Sequence, residues 1–378
     1  MTTTHAAAAI KADCFFVSIR IEFYHLPAIL DERALASPTK NGYSPPMKAI
    51  LEQNLRDVVF TAIGHAAPAR ALIVFDRESP LANLLTDAYA AVLPDADLLD
   101  FSTTTPDAVR AAMDAMSPGD LVVMVQSTSF RLNEFRFRIE LFKRGLAVIE
   151  HPHVARIVGE EIQTYVDALA YDASYYRTVG PKIKALIDGA KRIVVSCDGA
   201  ELVYETPFET AKLNIGDYSG MTNRGGQFPI GEVFTEPVDL AGVNGTVKLF
   251  AFGGADFRVT IPEEPVLVVI KEGKIVDAPN APATFTSILD QIRTEEELWV
   301  RELGFGMNRA MTRHRFLCDV GGYERMCGIH LSLGAKHTIY AKPGFPKRTS
   351  RFHVDVFADV KTVTIDGVTV FRDGAYCV

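Results

Sequence analysis

Several things are scarce or missing from this sequence. No two of its five cysteines, Cys14, Cys197, Cys318, Cys327 and Cys377, stand in CxxC spacing, so a thiolate zinc site is not expected. Odd in number and scattered, they form no disulfide framework, which points to a reducing, cytoplasmic setting. Positive charge is also short: 47 acidic residues against 39 basic ones leave a net charge of −8. A nucleic-acid partner usually needs a basic face, and none is expected here. Residues 6–10 are apolar but too few for a signal peptide or a membrane span, and no membrane association is expected. Neither GxGxxG nor GxxxxGKS/T follows any expected strand, which argues against a Rossmann or P-loop nucleotide site. Internal repeats and a low-complexity tail are absent too.

What is present is an ordinary globular composition, 48% hydrophobic and 23% charged over 378 residues, enough for two domains with cores of useful size. Residues 1–65 form an N-terminal extension. Within it, residues 14–23 look like a strand and 27–46 like a loop. Residues 47–64 have helical spacing through Ile50, Leu51, Leu55, Val58 and Val59. From 66 to 190 strands alternate with helices. Strands are expected at 71–75, 97–101, 121–125 and 146–149, and helices at 81–93, 105–116 and 133–143, with Thr105-Pro106 opening the second and Gly145 closing the third. Residues 160–190 read as mostly helical. That alternation implies a doubly wound α/β domain with a mostly parallel sheet.

The character changes near 185–195. Residues 191–378 carry short β-type runs punctuated by glycine, at 192–196, 247–252, 266–270 and 360–365. Glu272-Gly273 and Asp366-Gly367 each sit between two such runs and predict tight hairpins. The second domain is therefore β-rich α+β.

The second domain also holds the chemistry-bearing residues. In Arg351-Phe-His-Val-Asp-Val-Phe357, strand alternation puts His353 and Asp355 on one face and Phe352, Val354 and Val356 on the other. An imidazole and a carboxylate on one face make half a metal site, although a surface strand would show the same pattern. His330 and Ser332 share a face opposite Ile329, Leu331 and Leu333, which suits a ligand or a satisfied strand-end histidine. Glu302-Leu-Gly-Phe-Gly-Met-Asn308 and Pro229-Ile-Gly-Glu232-Val-Phe-Thr-Glu-Pro237 place glutamates beside glycines that allow close backbone approach, although either segment alone is more often a solvated turn. Together these are hard-to-borderline ligands suited to one or two divalent ions, Zn²⁺, Mn²⁺, Co²⁺ or Fe²⁺. Two further features have structural readings beside functional ones. His151-Pro-His153 could end a strand or line a cleft, and Arg131, Arg136 and Arg138 could be a solvated helix face or bind a substrate carboxylate.

In order and spacing, the stretches at 228–235, 302–308, 324–334, 353–355 and 365–374 resemble the aminopeptidase T/S family of dinuclear metallopeptidases, with a weaker match at 135–152. The resemblance covers roughly residues 70–378. It implies Glu232, Glu302, Glu324, His330, His353 and Asp355 as metal ligands, with Glu324 one residue out of step with the family spacing to His330. The family also has a catalytic tyrosine seven residues after the first metal histidine. Here that position is His337, and Tyr340 lies three residues on. Either could act on the tetrahedral intermediate, and Glu232 or Glu302 could serve as proton acceptor. Non-peptidase relatives include an Fe(II) ring-opening dihydroxypyridine dioxygenase and a nitroanthranilate aminohydrolase. The dioxygenase pattern has a histidine where this chain has Glu302, which favours hydrolysis.

The sequence thus predicts a metal-dependent, aminopeptidase-like hydrolase. Its substrate would be a small molecule or short peptide, and the resemblance implies a homodimer. The alternatives are an aromatic aminohydrolase, an Fe(II) dioxygenase, or a binding protein that has kept the fold without catalysis.

Overall fold

Strands Ala71–Phe75 and Leu121–Val125 are buried along their whole length, as the unbroken apolar runs Ala-Leu-Ile-Val-Phe and Leu-Val-Val-Met-Val require. They lie at the centre of a five-stranded parallel sheet. Its order is Asp97–Asp100, Ala71–Phe75, Leu121–Val125, Ala147–His151 and Arg224–Gln227. The structure is a computed structural model and describes residues 45–130, 137–218, 221–334, 340 and 352–378. The expected strand at 14–23 and the loop before residue 45 lie outside the described residues, as do Arg131 and Arg136.

Helices cover both faces of this sheet. Leu81, Leu85 and Tyr89 of helix Pro80–Val92 pack with Ile73 and Phe75 on one face. Val109 and Met113 of helix Pro106–Asp114, with Leu141 of helix Phe137–Lys143, pack with Leu72 and Val74 on the other. The helix starts follow from capping. Ser79 and Thr105 each accept a backbone N–H through the hydroxyl, ahead of a proline at the first helical turn. Helix Pro45–Arg56 runs on into a π-helical turn, Asp57–Ala62, and buries Leu51, Leu55, Val58, Val59 and Ala62. Ile50 falls off that stripe and is 44% exposed, a correction to its expected place on the buried face. The long helical stretch is two helices, Glu161–Ala168 and Ala173–Gly189, the second capped by Asp172.

The fifth strand of the parallel sheet, Arg224–Gln227, comes from beyond residue 191, so the chain returns to the first sheet after entering the second. The rest is a large, curled antiparallel sheet. Both expected hairpins are in it. Glu272-Gly273 and Asp366-Gly367 take positive φ at both turn positions, 49° and 76° in the first and 46° and 84° in the second. Those values define the type I′ turn that matches strand twist.

Four neighbouring strands of this sheet carry the expected ligands. They lie in the order His353–Ala358, Gly328–Gly334, Val300–Gly306 and Glu232–Thr235. Arg156 and Asp319, 2.6 Å apart, tie the two parts of the molecule together close to these strands. Among the described residues no helix is long and apolar enough to cross a membrane.

Candidate metal centre

His330 is central to the group, and its two strand neighbours decide where its ring goes. Phe357 stands opposite it on one side and Gly304 on the other. The Phe357 ring, centred 6.2 Å away and tilted by 52°, fills the near side. Gly304 leaves the far side open: a Cβ there would lie 2.1 Å from both Cε1 and Nε2 of His330. The imidazole therefore lies over Gly304 and reaches the carboxylates beyond it.

Nε2 of His330 is 3.2 Å from Oε1 of Glu232 and 3.4 Å from Oε1 of Glu302. One donor atom from each of the three residues falls within 4.8 Å of the others. The three are 3%, 3% and 1% exposed, so water does little to screen them. Burial alone would lower the His330 pKa, but the two carboxylates outweigh it and raise it to about 10. Two carboxylates facing one imidazole nitrogen in a buried space make a place that favours positive charge. Two carboxylate oxygens and an imidazole nitrogen are also a donor set that hard-to-borderline divalent ions accept. The residues present therefore fit a metal ion on charge and on donor type.

The backbone around Glu232 is set by close approaches. Gly231, at φ 122°, has no room for a Cβ beside Tyr176, and Gly306, opposite Glu232, has none beside the Met326 carbonyl. Asn308 fixes the approach from the other side. Its Nδ2 donates to the Ile230 carbonyl at 3.0 Å and to the Ala168 carbonyl at 2.7 Å, and its backbone N–H donates to the Arg325 carbonyl at 2.8 Å. Ser332 accepts the Glu302 backbone N–H at 3.3 Å, across an irregularity in the register between Val300 and Leu303.

The other expected ligands stand apart from this group. His353 and Asp355 do share a face, with Nε2 and Oδ1 3.2 Å apart. Asp355 lies across from Ser332 in the next strand. Its carboxyl feels burial first, which raises its pKa, but His353 and then His330 hold it below the ordinary value. Glu324 turns its carboxylate to the guanidinium of Arg325. Arg325 is itself buried, with Nη2 3.7 Å from Oε2 of Glu232. His337 lies outside the described residues. The Tyr340 hydroxyl donates to the backbone carbonyls of Thr210, at 3.2 Å, and Phe234, at 3.5 Å. Burial, and then the charge of Glu302, push its pKa up.

Two residues at the centre were not singled out by sequence. Arg325 has only one signal, the out-of-step spacing between Glu324 and His330. Asn308 ends the quoted Glu302 segment but has the look of a loop residue. Two of the remaining sequence candidates have structural partners. Arg138 pairs with Glu150 at 2.7 Å. His151 is fully buried between two tyrosines, its Nε2 2.7 Å from the Tyr89 hydroxyl and its Nδ1 2.8 Å from that of Tyr165.

No protein-family profile matches the chain, and no curated protein matches it in sequence. The structure is similar to that of wild-type AmpT from Thermus thermophilus, at 14% sequence identity and a TM-score of 0.56, covering 88% of this chain and 100% of that one. The chain has the aminopeptidase T-like fold.

Proposed function

We propose that the protein is a metal-dependent hydrolase of aminopeptidase type, acting on the amide or amine-bearing carbon of a small molecule or short peptide. The observation that carries this reading is the buried convergence of Glu232, Glu302 and His330 on one point. Three protein ligands with a position left for substrate or water is the usual plan of a catalytic site, in contrast to the closed four-ligand plan of a structural one. The aminopeptidase named by the fold match supports the choice of peptide-like substrates.

A divalent ion held there supplies Lewis acidity and acidifies water. His330 would hold the ion through Nε2, and whichever of Glu232 and Glu302 binds it less tightly would be placed to take up a proton. The low exposure of all three keeps the dielectric low, so that charge developing on a substrate oxygen is stabilised strongly. One histidine with two carboxylates is the reverse of the two-histidine, one-carboxylate plan of non-haem iron oxygenases, which favours hydrolysis over the dioxygenase reading.

Elemental analysis of purified protein, followed by assays of aminoacyl amides and dipeptides with added Mn²⁺, Zn²⁺, Co²⁺ or Fe²⁺, tests the reading. Turnover that needs a divalent ion and persists without oxygen is expected. Stoichiometric oxygen uptake in an oxygen electrode would replace hydrolysis with oxygenation, and absence of tightly bound metal would leave a binding protein. A homodimer belongs to the same proposal, and light scattering at micromolar concentration should give twice the 41.5 kDa chain mass.

A further inference from the structure

We propose that Lys212 anchors the C-terminal carboxylate of the substrate, so that the protein takes free di- and tripeptides in preference to peptides with a blocked C-terminus. The inference rests on the hydrolase reading above. Strand Lys212–Asn214 is the last strand of the large sheet, beside the strand that carries Glu232. Asn214 stands opposite Glu232, and Lys212 stands opposite Phe234. The second pairing continues as one row across the sheet, from Lys212 to Phe234, Gly304 and His330. Residues paired across antiparallel strands point to one face, so Lys212 shares the face of Glu232 and His330. Leu213 alternates to the other face and packs against the core.

No carboxylate among the described residues claims this ammonium. Lys212 is half-buried, and its Nζ lies 6.0 Å from the centre of the Tyr340 ring, at the outer limit of a cation–π contact. The chain carries 47 acidic residues against 39 basic ones, so carboxylate partners are plentiful. A lysine kept without one, on the face of the metal centre, has its charge available to a ligand. The spacing suits a short peptide. Neighbouring strands lie about 4.8 Å apart, so the backbone at Lys212 is about 10 Å from Gly304, over which the His330 ring lies. The flexible stem of the lysine brings the ammonium inward from there. An extended peptide advances about 3.5 Å per residue. With the scissile carbonyl at the converging group, a carboxylate one or two residues further on comes within reach of Nζ. That carboxylate also needs a counter-charge, because Glu232 and Glu302 repel it in a site where charges are poorly screened. Lys212 supplies it from the edge of the sheet.

The test is steady-state hydrolysis of alanylalanine and of its amide, alanylalaninamide, by the metal-loaded full chain. Both offer the same scissile bond, and only the first carries a carboxylate. Wild-type protein should prefer the free acid by about tenfold or more in kcat/KM, through KM, and added salt should narrow the gap because the ammonium is partly exposed. Lys212→Met keeps the stem and removes the charge. It should bring kcat/KM for the two substrates within about threefold of each other, by raising KM for the acid. Lys212→Glu should reverse the preference. A lysine of merely structural importance would lower both substrates together and leave their ratio as it was. Equal hydrolysis of both substrates by the wild type, or a preference retained in Lys212→Met, overturns this inference and leaves the hydrolase reading standing. Lys212→Gln makes the same comparison should Lys212→Met fail to fold. Metal-loaded wild type that hydrolyses neither substrate overturns the hydrolase reading, and this inference with it.

Discussion

Gly304 faces His330 directly across two paired strands, and a Cβ on it would fall 2.1 Å from the imidazole nitrogen that meets Glu232 and Glu302. The glycine is thus the space into which the ring leans, and Phe357 on the opposite strand keeps the ring from leaning back. Gly304→Ala should push the ring out of line with the carboxylates. Overpacking of this kind costs about 1–3 kcal/mol, so the variant should fold but melt earlier. Its Mn²⁺ affinity should fall at least about tenfold. Titration calorimetry that shows wild-type affinity in a folded Gly304→Ala protein would remove Gly304 from the site.

Removal of ligands should show a gradient that follows distance from the group. His330→Ala and Glu302→Gln each delete a converging donor, and bound metal after dialysis should drop close to zero. His353 pairs with Asp355 and stands outside the three-residue group. His353→Ala should instead weaken metal binding about 10–100-fold, the usual cost of losing a residue that orients a neighbouring carboxylate. Equal and complete metal loss in all three variants would place His353 among the ligands.

His151 makes a prediction about acid stability. The Tyr165 hydroxyl donates to the Phe228 carbonyl at 3.1 Å, so its oxygen accepts from Nδ1–H of His151, and Nε2 is left to accept from Tyr89. The ring is therefore neutral and fully engaged. Burial lowers its pKa from 6.5 to about 3. A histidine that is neutral when folded but protonated when unfolded contributes its full stability above pH 6.5 and loses it as pH falls from there towards 3. The slope approaches about 1.4 kcal/mol per pH unit, which comes to about 2 kcal/mol between pH 6.5 and 5. Urea denaturation with chelator present should show that loss in the wild type, and His151→Gln should lose less over the same range. Parallel curves for the two proteins would refute the assignment.

Much of this architecture can be read from the sequence because it rests on local physics. Apolar runs name the central parallel strands, a hydroxyl before proline names the helix start at Thr105-Pro106, and Glu-Gly and Asp-Gly name two hairpins. Strand alternation also put His353 beside Asp355. What escaped depends on distant partners. Arg224–Gln227, with the sequence Arg-Gly-Gly-Gln, has no apolar pattern and is a strand only because the Val148 carbonyl lies against Gly225 where a Cβ would sit, and the next strand supplies its hydrogen bonds. The convergence of Glu232, Glu302 and His330 needs three strands in register, including the irregularity before Leu303, and no single segment encodes that. Arg325 was invisible to a search for ligands because a guanidinium is not one. It becomes meaningful only once the far oxygen of Glu232 is known to face it.

The last prediction separates His337 from Tyr340 as the donor that stands in for the family tyrosine. The Tyr340 hydroxyl donates to the Thr210 and Phe234 carbonyls, and Phe234 lies opposite Gly304 in the sheet. Donation to backbone at those distances braces the strand behind the site, and it leaves the proton poorly placed for substrate. Burial raises the Tyr340 pKa further, which also opposes its ionisation. Tyr340→Phe should therefore cost about 1 kcal/mol of stability, the net worth of a modest hydrogen bond, with turnover within about twofold of wild type. His337→Ala should lower turnover by about 10²-fold or more, as loss of one acid-base or oxyanion donor does. Tyr340→Phe should keep its full complement of metal, because Tyr340 is not among the converging residues, and a donor role for His337 predicts the same of His337→Ala. The discriminating measurement is kcat for an aminoacyl amide at saturating metal, checked against metal content in the same sample. If Tyr340→Phe loses two orders of magnitude while His337→Ala stays near wild type, the donor is Tyr340, and its hydroxyl must leave the two carbonyls to act.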